Sequence, residues 1–265
     1  MRIAQLKANA INLPSIGLVK MRLSRPIPGN FELRQVQVVK RASGWYLLLS
    51  LKPNITIQNP IPHGKAVGID LGLQNYVATS SKKTIAKPKI FESVRRKLKS
   101  LQSKLKHKKM GSRNWQKVQD KIARLYEYRR NVRKDFQFKF AHKICNQFGM
   151  VFAEDLSINP MLKGACRNSI REASWGEFLY ILEWVCWKRG VYFYKVPPHY
   201  TSQTCPKCQL QTGKKKLSER IHRCRGCGYT IDRDVAAAKV ILQRGLAAVG
   251  YMVKKPDEGK VFGSL

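Results

Sequence analysis

The pattern of apolar and polar positions predicts β-strands in the first fifty residues. Residues 31–40 alternate partly between the two kinds of side chain, and residues 45–52 have a stronger strand pattern. A short loop ending in Gly44 separates them, which predicts a hairpin. Together with the apolar-rich segment 17–23, these strands indicate a small β-barrel, or a piece of one, over residues 1–52.

After a proline-containing linker at residues 53–65, two short apolar runs each end in a carboxylate. Residues 66–70 end in Asp70, and residues 150–154 end in Glu154. Their length and apolar character predict buried strands. The other strands predicted in this part of the chain are 75–80, 83–86 and 191–196.

Apolar positions between these strands recur at intervals of three and four residues, which predicts helices. Residues 92–148 indicate two helices with a break at Gly111, most simply an antiparallel hairpin. Residues 170–189 predict one amphipathic helix, and residues 234–245 predict a closing helix. Strands mixed with helices in this order favour an α/β fold.

Charge changes the picture more than any other bulk property. Fifty-one Lys and Arg residues face 16 Asp and Glu residues, giving a formal net charge of +35 in 265 residues. A compact protein with that imbalance repels itself unless a polyanion is near, and phosphate backbones are the usual polyanion. The charge favours nucleic-acid binding over a ribosome-like structural protein or a membrane-surface protein.

Cations are dense in the predicted helical segment 92–148. Acidic residues are too scarce to pair with them, which favours a phosphate-binding arm over an ordinary solvated helix face. The cations are Arg95, Arg96, Lys97, Lys99, Lys104, Lys106, Lys108, Lys109, Arg129, Arg130, Arg133 and Lys134.

Targeting signals are absent from the sequence pattern. The first 21 residues lack the apolar core and cleavage site of a secretory signal, and no apolar run approaches the roughly 18 residues of a membrane span. We therefore predict a cytoplasmic, nucleoid-associated protein with no membrane partner.

Four of the seven cysteines form two CxxC pairs, Cys205 with Cys208 and Cys224 with Cys227, separated by fifteen residues. Each pair offers two thiolates on a tight turn, and the spacing is typical of a zinc ribbon. A cytosolic redox pair is the alternative, but it would not need the second CxxC. The predicted Zn²⁺ is structural, because four cysteines complete a tetrahedron. His222, close to Cys224, is a competing ligand.

The remaining cysteines, Cys145, Cys166 and Cys186, lack partner spacing and are interpreted as buried or idle thiols.

Asp70, Glu154 and Asp234 are the candidate catalytic residues and ligands of Mg²⁺ or Mn²⁺. Two of them end buried strands, and Asp234 opens an Ala-rich helix that can approach a sheet closely. Hard oxygen ligands suit these ions, and two ions about 4 Å apart activate water and stabilise a leaving oxygen. The alternative for Asp234 alone is a helix N-cap. Nearby Asp155 and Asp232 are decoys, Asp232 being structural or supporting.

The runs VGIDLGLQNYVATS, VFAEDLSI, SWGEFLYILEW, HYTSQTCPKC and HRCRGCGYTIDRDVAAAKVIL resemble the transposon-encoded TnpB (OrfB) family, which is related to type V CRISPR effectors. The resemblance implies a RuvC-like (RNase H-like) core with its catalytic carboxylates at Asp70, Glu154 and Asp234. It also implies a target-nucleic-acid-loading zinc ribbon, a guide RNA from the transposon end, and cleavage of guide-matched DNA.

With this resemblance, the predicted boundaries are a partial wedge-like barrel at 1–52, a RuvC-like core at 66–200 and a zinc ribbon at 201–230. The core includes the basic hairpin at 92–148. A last RuvC helix at 231–248 and a tail at 249–265 complete the prediction.

Two departures from the family pattern affect the functional expectation. The chain starts inside the barrel, which predicts an N-terminally truncated member. The last helix carries Ala236 and Val240 where the family usually carries Asn. The leading hypothesis is an RNA-guided DNA endonuclease; the alternatives are a non-cutting DNA- and RNA-binding remnant and a guide-free resolvase-like nuclease.

Overall fold

The computed structural model describes residues 5–7, 9–14, 16–27, 29, 31–54, 58–88, 90–164, 166–216 and 218–251. The chain divides into two compact units. One contains residues 1–58 and 107–127, and the other contains residues 59–106 and 128–265. The predicted tail lies outside the described residues from position 252 onward. None of the described helices is long and apolar enough to cross a membrane.

The larger unit is built on a five-stranded mixed sheet. Its strands are β6 (Ala66–Asp70), β7 (Asn75–Thr79), β8 (Thr84–Ala86), β9 (Met150–Glu154) and β10 (Tyr192–Val196). The strand order is β10-β9-β6-β7-β8. β6, β9 and β10 run parallel, β7 pairs antiparallel with β6, and β8 pairs antiparallel with β7. The central strands are apolar on both faces because both faces are covered. The predicted α/β class is confirmed.

Helices cover the two faces of this sheet. Val67, Ile69 and Val151 face one core, which also holds residues of α2 (Arg113–Cys145) and α5 (Trp175–Lys188). Phe152 and Val196 face a second core with α6 (Arg233–Ala248).

Close packing of α6 against the sheet depends on glycines. A Cβ at Gly68 of β6 would overlap the backbone of Ala238, and one at Gly245 of α6 would overlap the Phe152 ring. α6 therefore lies directly on β6 and β9.

The predicted single helix over 170–189 is wrong in one respect. The structure has α4 (Arg167–Ala173) followed by α5, with Ser174 between them in the left-handed conformation (φ 54°). The Ser174 N–H still bonds to the Ile170 carbonyl, and the Ser174 carbonyl accepts from Phe178. Apolar periodicity continues across the break, so the sequence pattern did not reveal it.

In the smaller unit, the described strands form two antiparallel sheets. One is β1-β2-β3 (Gln5–Lys7, Ala10–Leu13 and Gly17–Lys20), and the other is the predicted hairpin β4-β5 (Phe31–Arg41 and Gly44–Pro53). At the hairpin turn, the Ser43 N–H and hydroxyl donate to the Glu127 carboxylate of α2 at 2.9 and 2.6 Å. Closure of these strands into a barrel stays a prediction.

The basic segment forms two helices, α1 (Ile90–Lys106) and α2, with the break at the predicted place. Their arrangement as an antiparallel hairpin stays a prediction. α3 (Ile158–Met161) is a single short turn after β9. The last part of the chain carries a small hairpin of β11 (Ile221–Arg223) and β12 (Thr230–Asp232).

Candidate functional site

Asp70 and Glu154 end neighbouring parallel strands at the same sheet edge. Ile69 of β6 pairs with Ala153 of β9, so the two carboxylates occupy the next position of the ladder. Side chains alternate along a strand. Because Gly68 and Phe152 face α6, Asp70 and Glu154, two residues further on, face α6 as well.

Asp234 lies in the first turn of α6, on the helix that covers this face. The N-cap is Asp232, whose carboxylate accepts from the backbone N–H groups of Asp234 (2.9 Å) and Val235 (3.1 Å). The cap role that was the alternative for Asp234 therefore belongs to Asp232. The Asp234 carboxylate instead accepts from the Asn75 side-chain amide at 3.4 Å.

The carboxylates are within electrostatic reach of one another. Burial, followed by the negative charges of Glu154 and Asp234, raises the pKa of Asp70 from 3.8 to about 8. The Arg233 charge and the Leu71 N–H act in the opposite direction. A half-buried acid next to two like charges is destabilised as a carboxylate until a proton or a cation joins it.

Glu154 is held by a group that sequence reasoning missed. The buried Thr201 hydroxyl donates to Glu154 Oε1 at 2.6 Å, from the short 3-10 helix Thr201–Gln203. Burial raises the pKa of Glu154, while the Thr201 hydrogen bond and the Arg244 charge lower it. Arg244 also donates to the carbonyl oxygens of Pro197 and His199, in the turn that leads to Thr201.

Other polar groups at this edge were also missed. Asn75 lies five residues after Asp70, Arg233 directly precedes Asp234, and Arg244 lies further along α6, but the sequence analysis assigned none of them to the site. Thr201 had one available signal, since it lies four residues before the first CxxC cysteine. Ala236 and Val240, where the family pattern has Asn, are both buried in α6.

The four CxxC cysteines form a compact cluster. The sulfur atoms of Cys205, Cys208, Cys224 and Cys227 all lie within 4.8 Å of one another. Two of the spacings are 3.7 Å (Cys205 to Cys227) and 3.5 Å (Cys208 to Cys224). Among the described residues, these four cysteines form the group of at least three Cys, His, Asp or Glu side chains whose ligand atoms all lie within 4.8 Å of one another. Asp70, Glu154 and Asp234 do not form such a group.

The two CxxC turns have the same backbone pattern. In the first, the Cys205 N–H bonds to the Leu210 carbonyl and the Gln209 N–H to the Cys205 carbonyl. In the second, the Cys224 N–H bonds to the Tyr229 carbonyl and the Gly228 N–H to the Cys224 carbonyl. Gln209 and Gly228 both have positive φ, 63° and 69°. A Cβ at Gly226 would lie 2.7 Å from Cδ2 of Leu210, whose exposed side chain would have to move aside.

The turns also affect the thiols. Burial acts to raise the pKa of Cys224, but hydrogen bonds, including those from the Cys227 and Gly226 N–H groups, bring it down to about 6. Burial raises the pKa of Cys205 to about 12. Backbone N–H donors directed at sulfur favour the thiolate that a metal requires.

His222 is not a member of the cysteine cluster. Its ring is buried, and Nδ1 contacts the Lys215 ammonium. The competing-ligand hypothesis for His222 therefore finds no support in the geometry.

The remaining cysteines differ from one another. Cys145 and Cys186 are buried, as predicted, but their sulfurs lie 3.5 Å apart, which the sequence spacing did not reveal. Cys166 is exposed.

Part of the basic segment is neutralised, contrary to the expectation that acids are too scarce. Arg129 pairs with Glu172 at 3.3 Å, and both Arg133 and Lys134 pair with Glu177 at 3.2 and 3.4 Å. Arg95 pairs with Glu92 within α1. These four cations hold protein carboxylates, so phosphate binding by the segment would rest on its other cations.

Comparisons with known proteins agree with the fold and the order of motifs. The family OrfB_IS605, described as "Probable transposase", matches residues 46–165, and the family of Cas12f1-like TNB domains matches residues 175–241. A cryo-EM structure of a Cas12f1–sgRNA–target DNA complex covers 80% of this chain and 56% of that chain, with a TM-score of 0.54 and 20% identity. That likeness shows a Cas12f-like fold.

Two curated relatives match along most of this chain. "Putative RNA-guided DNA endonuclease InsQ" of Escherichia coli (strain K12) is 33% identical over 92% of this chain and 64% of its own length. A "Putative RNA-guided DNA endonuclease" of Streptomyces pristinaespiralis is 34% identical over 86% of this chain and 57% of its own length. The chain thus spans about three fifths of the relatives it matches. The two family matches lie in collinear order, and the chain is similar to proteins of the TnpB (OrfB) family.

Proposed function

We propose that the chain is a divalent-metal-dependent endonuclease that cuts DNA, with Asp70, Glu154 and Asp234 as metal ligands and catalytic groups. The observation that carries this proposal is the shared sheet edge. Two strand ends and the first turn of α6 bring carboxylates from three distant parts of the sequence to one face. This is the arrangement expected of a RuvC-like, RNase H-like core.

The residues present fit a hard divalent cation. Three acidic oxygen donors suit Mg²⁺ or Mn²⁺. Burial and then repulsion raise the Asp70 pKa, and a cation would compensate the charge that both disfavour. When bound, such ions supply an activated water and stabilise the leaving oxygen of a phosphodiester. Thr201 fixes one oxygen of Glu154, and Asn75 orients the Asp234 carboxylate.

The cysteine cluster supports a structural Zn²⁺. Zn–S bonds of about 2.3 Å in a tetrahedron place sulfurs about 3.8 Å apart. The observed spacings of 3.5 and 3.7 Å lie close to that edge length. Four protein ligands leave no open position, so this ion would hold the ribbon together and take no part in cleavage.

The partners follow from the relatives. Two relatives are named as RNA-guided DNA endonucleases, and the structural neighbour is a complex with sgRNA and target DNA. We infer that this chain binds a guide RNA from the transposon end, and that base pairing selects the DNA to be cut. The net charge of +35 supports binding of both phosphate backbones.

The test is cleavage of guide-matched DNA by the chain purified with its co-expressed RNA. Parent protein is compared with Asp70→Asn and with Asp155→Asn, a matched change at an exposed neighbour of Glu154. The proposal predicts Mg²⁺-dependent cutting by parent and by Asp155→Asn, and none by Asp70→Asn.

Two results would replace the proposal. Tight binding of RNA and DNA without cleavage in any sample would make the chain a non-cutting remnant. Undiminished cleavage by RNase-treated protein would make it a guide-free nuclease.

A further inference from the structure

We propose that the exposed side of α5 is a stacking platform for the unpaired bases of a single-stranded nucleic acid. This α5 aromatic face consists of Tyr180, Trp184 and Trp187, with Lys188 beside them. The inference rests on the proposed function, to which it adds a binding surface for an unpaired strand. It requires binding of a nucleic acid but not cleavage.

Three large aromatic side chains lie on one side of the helix. Spacings of four and three residues align Tyr180, Trp184 and Trp187 along it. They are 72%, 41% and 37% exposed, although the opposite side of α5 already supplies buried Phe178 and Leu182 to the core. Core packing therefore accounts for one side of α5 and leaves the aromatic row unexplained.

The central ring of the row, Trp184, is held by two neighbours. Trp184 packs edge-on against Phe138 of α2, with ring centroids 6.0 Å apart and an interplanar angle of 89°. The Lys188 ammonium lies 5.1 Å from the Trp184 ring centroid. With a rise of about 1.5 Å per residue, positions 180 to 187 span about 10 Å, enough for two or three stacked bases.

The charge around the face favours a nucleic acid over a protein. Nearby Glu183 is paired with Lys195 at 2.7 Å, and Asp135 with Lys139 at 2.8 Å. Lys188 and Arg189 add positive charge at the end of α5. Aromatic rings with flanking cations are the usual elements of single-strand binding, whereas the core of a protein interface is depleted in lysine.

The test compares the full chain with variants, all carrying Asp70→Asn so that cleavage cannot affect the result. Affinity for fluorescein-labelled oligo(dT) and oligo(U) is measured over a range of salt, because phosphate binding elsewhere on the chain falls steeply with salt. The variants are Trp184→Leu with Trp187→Leu, the same pair changed to Phe, and Trp45→Leu. Trp45 is an even more exposed ring outside α5, so its change is the control for the loss of an exposed tryptophan.

The proposal predicts that the double Leu variant binds roughly tenfold or more weakly at every salt concentration, with an unchanged salt slope. The Phe pair keeps most of the affinity, and Trp45→Leu has no effect. Lys188→Gln lowers the slope by about 0.7, the value for one single-strand phosphate contact. The two oligonucleotides show whether the face prefers DNA or RNA.

Equal affinity of the parent and double Leu proteins would overturn the proposal. A second result would also overturn it: the double Leu variant loses self-association in sedimentation but keeps its affinity for the oligonucleotides. The α5 aromatic face would then bind another protein chain. Circular dichroism checks that each variant is folded. Because no step requires cutting, a chain that fails as a nuclease still gives a valid result here.

Discussion

The cysteine cluster and the carboxylate edge are both candidate metal centres, but they are built in opposite ways. The cysteines come from two turns with the same hydrogen-bond pattern, and their sulfurs lie within 4.8 Å before any metal is considered. The carboxylates come from two strands and a helix, and they are not gathered to that distance. Burial, followed by repulsion from Glu154 and Asp234, raises the pKa of Asp70 to about 8.

This difference shows how each centre would respond to metal. Local turns fix the cysteine geometry, so a bound ion mainly holds the small ribbon folded. The carboxylate edge is assembled by the whole sheet and by α6, which packs on Gly68. Its ion would compensate charge in a fold that is already stable, and removing the ion should leave the fold intact.

The largest expected effect is at the ribbon. Cys224→Ser removes one of four thiolates from a site whose binding free energy is roughly 10–16 kcal/mol in comparable domains. We expect zinc content, measured by elemental analysis, to fall from about one ion per chain to near zero. Cys166→Ser, at the exposed cysteine outside the cluster, should keep its zinc. Full zinc retention by Cys224→Ser would show that the ribbon uses other ligands.

The next effect separates the roles of two aspartates at the start of α6, Asp234 in its first turn and the N-cap Asp232. Asp234→Asn should slow cleavage by roughly a thousandfold, because a metal ligand contributes several kcal/mol to the transition state. Asp232→Asn is the matched change two residues away, and it should keep near-normal cleavage because Asn caps helices as well as Asp. If the two variants lost activity equally, the assignment of separate roles would be wrong.

A smaller effect, of about a few kcal/mol, is expected on the free energy of unfolding of the metal-free protein. The pKa of Asp70 is about 8 in the folded chain against an ordinary 3.8, so between these pH values the folded state holds a proton that the unfolded state has released. Rising pH therefore destabilises the metal-free protein over this window. Asp70→Asn should unfold at higher urea concentration than the parent, with a difference that grows from pH 4 to pH 8.

Mg²⁺ should reduce that difference, because an ion bound to the folded parent stabilises it and the Asn variant binds the ion weakly. A parent protein that is equally stable at pH 5 and pH 8 without metal would contradict the crowding of charge at this edge.

The smallest effect is at the contact between Glu154 and the turn before the ribbon. Thr201→Val removes the 2.6 Å hydrogen bond, and bonds to charged groups contribute about 1.5–3 kcal/mol. We expect roughly 10- to 100-fold slower cleavage and a higher Mg²⁺ requirement. Thr201→Ser keeps the hydroxyl and should restore both. Unchanged Mg²⁺ dependence in Thr201→Val would limit Thr201 to a structural role.

The same contrast explains what the sequence revealed. Ligand spacing is local, so two CxxC pairs were enough to predict the cluster that the structure forms. β6 and β9 were equally readable, since each is a short apolar run ending in an acid. One face carries Asp70, Glu154 and Asp234 because of the register between β6 and β9 and the place where α6 packs. Neither feature can be predicted from the spacing of residues along the sequence.

Features that depend on tertiary contacts were missed or misread. The helix break at Ser174 is hidden by apolar periodicity that continues through it. Arg133 and Lys134 looked unpaired in the sequence, yet both reach Glu177 of α5. The proximity of Cys145 and Cys186 likewise arises only when α2 and α5 pack on the same sheet.

The most direct test of the carboxylate centre is anomalous diffraction from crystals of the chain soaked in Mn²⁺. We expect manganese within about 2.2 Å of carboxylate oxygens from Asp70, Glu154 and Asp234, and no manganese there in an Asp70→Asn crystal. Manganese found only at other surfaces, with these three side chains free of it, would contradict the nuclease assignment.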